Sequence, residues 1–216
     1  MNTKINIKNK ITGYNIPTVI NIPINSKDII IMCHGFGGDK DSPISKLIAQ
    51  MFLDEDIGVA AFDFPIHGES KAKIEEFTVK NCVSDINVVR TYINDNFPQK
   101  DISLMATSFG GYIAINSFLD GNVFYKYVIL RSPAVNMKDV LTHTLLKENF
   151  SEYRRKRNSK NGEKWKNESI IWVLWRFNKK WYIKKKQRTK TKNVNFSWNG
   201  WWYCFNRWYR KIHKSK

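Results

Sequence analysis

Apolar residues along the first 150 positions follow two alternating rhythms. Short continuous runs mark strands buried on both faces: Asp28–Cys33, Gly58–Asp63, Asp101–Met105 and Tyr127–Leu130. Between them the spacing lengthens to three and four. Ile44, Leu47, Ile48 and Met51 follow Ser42 and Pro43, which predicts a helix with proline in its first turn. Val83, Ile86, Val89, Tyr92 and Ile93 predict a longer helix capped by Thr78. Gly111–Leu119 repeats as a third helix, and Asn136–Phe150 as a fourth through Met137, Val140, Leu141, Leu145 and Leu146. Ile5–Lys8 and Pro17–Ile22 read as an opening hairpin at a sheet edge. Strands that alternate with helices predict an α/β fold, a mostly parallel sheet with helices on both faces.

Length and composition bound this picture. A chain of 216 residues suits one domain with a real core. No apolar run reaches the roughly 18 residues of a spanning helix, and Met1-Asn2-Thr3-Lys4 leads into no signal-like segment. Cys33, Cys82 and Cys204 are scattered without metal-ligand spacing, so neither a disulfide framework nor a metal site is expected. A cytoplasmic location is the expectation.

The net charge of +17 changes the picture once it is located. Residues 1–150 hold 15 Lys+Arg against 16 Asp+Glu; residues 151–216 hold 21 against 3. All eight tryptophans lie after residue 164. Two compositions therefore meet near Tyr153, and the chain divides into a core over 1–150 and a basic, Trp-rich tail over 151–216.

Candidate chemistry sits in the core. Ala106-Thr107-Ser108-Phe109-Gly110 joins the strand at Asp101–Met105 to the helix at Gly111–Leu119, which puts Ser108 on a sharp strand-to-helix turn. The positions two residues either side are small, as such a turn requires. A helix N-terminus behind the serine offers backbone N–H groups to developing negative charge. Earlier, the buried strand at Asp28–Cys33 ends in His34-Gly35-Phe36-Gly37-Gly38, whose glycines let backbone amides approach a ligand. The next strand ends in Asp63-Phe64-Pro65-Ile66-His67-Gly68-Glu69-Ser70.

These three segments, in this order at the ends of successive strands, resemble the α/β-hydrolase family in its esterase, lipase and serine-aminopeptidase-like branch. The resemblance covers about residues 15–150. It implies that Ser108 is the nucleophile and that the backbone N–H groups of Phe36 and Phe109 form the oxyanion hole. Gly35, Gly37, Gly110 and Gly111 shape the supporting turns, and His34 shapes its loop. His34 and His67 read as structural histidines rather than the general base, and Asp63 as a turn-stabilising carboxylate. The implied activity is hydrolysis of a small-molecule carboxylic ester, with an amide as the other option, and it needs no cofactor. Asn136–Phe150 would begin a cap over the site.

The family would add two further strands, a triad acid on a His-Gly-x-x-Asp turn and a late histidine. Residues 151–216 give no strand signal, and their only histidine, His213, sits in a Lys/Arg-rich end with no strand before it. It is therefore not read as the base, and the fold is expected to be truncated after the start of the cap. The preferred reading is a one-base slip of the coding frame near Tyr153. With plausible codons read from the second base, Arg154–Arg157 becomes Glu-Glu-Lys-Gly, and Ser197–Trp202 begins His-Gly-Met-Gly-Asp-Asp. A poorly ordered tail and a crippled triad follow from it. Two alternatives stay open: a solvated basic tail, and a surface for nucleic acid or anionic membranes. No RNA-binding motif supports the last, and nucleic acid is not the expected partner. A non-enzymatic binding protein on a hydrolase scaffold is the alternative from another functional class.

Overall fold

The computed structural model describes residues 2–119, 124–135, 137 and the pair 194–195. Seven strands form one sheet in the order β1-β2-β4-β3-β5-β6-β7. They are β1 (Asn2–Lys8), β2 (Asn15–Asn21), β3 (Asp28–Cys33), β4 (Gly58–Phe62), β5 (Asp101–Thr107), β6 (Val128–Arg131) and β7 (Val194–Asn195). The hairpin β1–β2 is antiparallel and joins β4 antiparallel, and every other pair is parallel. Helices α1 (Pro43–Leu53), α2 (Val79–Asn96) and α3 (Phe109–Leu119) connect the parallel strands.

Strand β3 explains its own apolar run. It lies between β4 and β5, and side chains of successive residues point to opposite faces. Ile29, Ile31 and Cys33 enter the larger core, formed with α2 and α3; Ile30 and Met32 enter a smaller one, formed with Ile48 and Phe52 of α1. Each face needed apolar residues, so no polar alternation survives. Pro43 opens α1 as its spacing predicted, and the Thr78 side chain accepts a hydrogen bond from the Asn81 N–H to cap α2.

The strand order creates the site. From β3 the chain crosses through α1 to β4 on one side; from β5 it crosses through α3 to β6 on the other. Neighbouring strands whose connections diverge leave a crevice beyond their carboxyl ends, the usual ligand position in open α/β sheets. The loop after β3 and the turn after β5 border that crevice.

Differences from the sequence reading are local. β4 stops at Phe62 and leaves Asp63 to the loop, whereas β5 runs on to Thr107. The sheet also takes Val194–Asn195 beside β6, although the last 66 residues carry no strand signal. Two residues are too few for periodicity to register. Apart from the buried Met137, the expected cap helix over 136–150 lies outside the described residues, as does the tail except for β7. No helix among the described residues is long and apolar enough to cross a membrane.

Candidate active site

The turn at Ser108 is left-handed, with φ +48°. Such a backbone costs a non-glycine residue about 1–2 kcal/mol, so surrounding bonds must hold it. Ser108 N–H donates to Arg131 O at the end of β6 (3.0 Å), and Ser108 O accepts from Tyr112 N–H (3.1 Å) and Ala134 N–H (3.0 Å). The strand before it is set in the core, with Leu104 and Ala106 fully buried. Sheet and helix together fix the serine, which remains half-buried at the edge of a cavity of about 280 Å³. Gly35 and Phe36 border the same cavity, and Met32, Ile48 and Met105 supply part of its apolar wall.

Close approach explains the small residues. A Cβ on Gly110 would lie 2.5 Å from His34 O and 2.7 Å from Cys33 O, because the first turn of α3 crosses the end of β3. A Cβ on Gly111 would meet Pro133 at 2.8 Å. On the opposing loop, a Cβ on Gly35 would sit 3.5 Å from Ser108 Cβ. The glycine loop therefore packs directly against the serine turn. Phe109 opens α3 immediately after Ser108, and Phe36 follows Gly35, so both residues whose amides the sequence nominated flank the serine.

The ring of Phe36 joins an aromatic cluster. It contacts His67, Phe77 and Phe109 at centroid distances of 5.5, 6.1 and 6.1 Å. Both described histidines belong to that cluster. His34 Nε2 accepts the Phe64 N–H (3.1 Å) while its Nδ1 meets Gly35 O (2.7 Å). His67 Nε2 accepts the Gly37 N–H (3.1 Å) while its Nδ1 meets Pro65 O (2.9 Å). All four ring nitrogens thus face backbone groups, which fixes each ring as the neutral Nδ1–H tautomer. Burial lowers both pKa values, that of His34 to about 4. With both nitrogens of each ring engaged, neither ring has a free lone pair to take the serine proton.

Asp63 is a structural carboxylate, as its turn position suggested. It accepts Lys40 N–H (2.8 Å), Lys40 Nζ (2.9 Å) and Glu69 N–H (2.8 Å). A Cβ at Gly68 would collide with it. Lys40 is the residue that sequence reasoning missed. Its side chain is 1% exposed and also reaches Glu69 (2.7 Å) and Asp41 (3.0 Å). Burial opposes its charge, but the three carboxylates outweigh burial and raise its pKa. Nothing local distinguishes Lys40 from a surface lysine; only loop closure buries it.

Comparison with known proteins agrees with this fold. Residues 24–192 match the family described as serine aminopeptidase, S33. No curated protein matches the sequence. Among solved structures, the esterase Pf2001 of Pyrococcus furiosus is 16% identical with a TM-score of 0.62, covering 81% of this chain and 62% of that one. Est1E from Butyrivibrio proteoclasticus, solved with ferulic acid bound, is 20% identical with a TM-score of 0.57, covering 64% and 56%. XC6422 from Xanthomonas campestris, described as an a/b serine hydrolase without lid, is 17% identical with a TM-score of 0.52, covering 60% of each chain. The chain thus spans 56–62% of the length of these proteins. At such identities the likeness carries the fold.

Proposed function

The chain belongs to the serine aminopeptidase S33 family, and on that premise we propose that its site is built to hydrolyse a small carboxylic ester through Ser108. Ser108 Oγ attacks the carbonyl carbon as its proton passes to a base, and the carbonyl oxygen takes the negative charge. The N–H groups of Phe36 and Phe109 stabilise that oxyanion in the tetrahedral intermediate more than in the ground state. Collapse expels the alcohol with a proton and leaves an acyl-serine; water then releases the acid. The single observation behind this reading is the left-handed Ser108 turn packed against the glycine loop at the strand crevice. The esterases among the structural neighbours favour an ester over an amide.

Among the described residues both histidines commit their ring nitrogens to backbone groups, which leaves the base and its orienting acid unassigned. We further propose that a frame slip near Tyr153 removed them. Serine hydrolases without triad partners retain only residual catalysis from the oxyanion hole and binding. The slip fails if codons 154–202 cannot yield His-Gly-x-x-Asp in the neighbouring frame. The site itself is tested with a fluorophosphonate on the full chain, expected to react slowly and at Ser108 alone, with Ser108→Ala unlabelled. Labelling elsewhere, or equal labelling of Ser108→Ala, rejects Ser108 as nucleophile. Turnover of a short aryl ester at ordinary enzymatic rates, abolished by Ser108→Ala, overturns the loss of the base.

A further inference from the structure

The two histidines are related in a way that motif reading does not reveal. His34 stands on the loop after β3 and accepts an N–H from the loop after β4, that of Phe64. His67 stands on the loop after β4 and accepts an N–H from the loop after β3, that of Gly37. Their ring centroids are 5.1 Å apart. We propose that His34 and His67 are reciprocal positioning residues, which hold the glycine loop against Ser108 only while both rings are neutral. The inference rests on the hydrolase reading for its catalytic consequence, but not for the brace itself.

The chemistry follows from donors and acceptors. Each Nδ1–H is committed to a carbonyl of the ring's own loop, so each Nε2 lone pair is the link across the gap. Protonation turns Nε2 into a donor aimed at an N–H. Two donors cannot bond, and the second ring nearby adds like-charge repulsion. Gly37 sits at φ +73°, one residue beyond Phe36, and the Gly38 N–H closes the turn onto Gly35 O at 3.1 Å. Release of the Gly37 N–H therefore frees the segment that carries the Phe36 amide.

Groups around the pair set the acid range. Asp63 and Asp39 favour the charged rings, and the Lys40 ammonium is paired with Asp63, Glu69 and Asp41. From α3 and the segment before α2 come the apolar rings of Phe109 and Phe77. Burial outweighs the carboxylates, so both histidines stay neutral at pH 7 and titrate below the usual range.

The test is amide exchange at Gly37 in the full chain, expressed as protection over the intrinsic rate at each pH. In the wild type, protection is expected to fall about tenfold on acidification, the worth of one ordinary hydrogen bond, while Ile86 and Val89 in α2 keep theirs. His67→Gln offers an amide oxygen that cannot be protonated at these pH values, so it should retain protection and lose the acid step. His67→Leu should lose protection at pH 7. An unchanged acid step in His67→Gln, or full protection in His67→Leu, overturns the proposal. Should either variant fail to fold, the wild-type His67 ring nitrogens and the Gly37 amide are followed together by NMR, and they must shift with one midpoint; separate midpoints overturn the brace. Fluorophosphonate capture at Ser108 is read in parallel. Capture that falls with Gly37 protection supports the catalytic consequence; capture independent of it removes that consequence. Absence of capture at every pH defeats the hydrolase reading and leaves the brace to stand or fall on exchange.

Discussion

Replacing Asp63 with asparagine is the sharpest probe of how the site is held. The carboxylate is fully buried and receives three donors, two from Lys40 and one from Glu69. Asparagine keeps the size and one acceptor oxygen, but sets an NH2 against at least one of those donors. It also leaves the Lys40 ammonium, 1% exposed, without its one buried counter-charge. Breaking a buried ion pair from one side costs about 3–5 kcal/mol. Glu69 and Asp41 still reach Lys40 Nζ and offset part of this, so the low end, about 3 kcal/mol, is expected. The assay is urea unfolding, with the midpoint shift converted through the slope. Lys40→Met in the Asp63→Asn background should recover much of the loss, because no uncompensated charge remains buried. A loss below about 1 kcal/mol, the range of an exposed pair, would refute the argument. So would a double variant no more stable than Asp63→Asn.

Two further outcomes follow from close packing and from burial. Gly110→Ala gains about 1 kcal/mol of helix propensity, but its Cβ meets two backbone carbonyl oxygens that cannot swing aside. A net loss of about 1–2 kcal/mol is expected on unfolding, together with slower capture of Ser108; a gain in stability would show that the loop yields freely. Asp85 is buried on α2, where it accepts from Asn9 Nδ2 (2.7 Å) and Tyr14 OH (2.9 Å), and burial raises its pKa to about 7. The folded state then holds its proton more tightly than the unfolded chain, so its contribution is full near pH 4 and is lost as pH rises to 7. That loss is about 4 kcal/mol at most. Asp85→Asn should remove this component from the stability-against-pH curve, and an identical slope in both proteins would contradict it.

Much of this was legible from the chain alone. The runs at Asp28–Cys33 and Asp101–Met105 named the central strands, because a strand buried on both faces tolerates no polar alternation. The small residues around Ser108 named the turn, because only small side chains permit α3 to cross the end of β3. Composition also separated residues 1–150 from the tail, since a charge balance requires no geometry.

Local pattern records which face of an element is buried, but not what closes over a loop. Strand order decided that the segments after β3 and β5 meet at one crevice, and no residue in either strand encodes that adjacency. Lys40 and Asp63 lie 23 positions apart, and Gly37 and His67 lie 30 apart. Such pairs become visible only when folding withdraws both partners from water, because burial then makes each polar atom find the other. The seryl turn was thus written locally, whereas the brace that holds its neighbouring loop exists only in three dimensions.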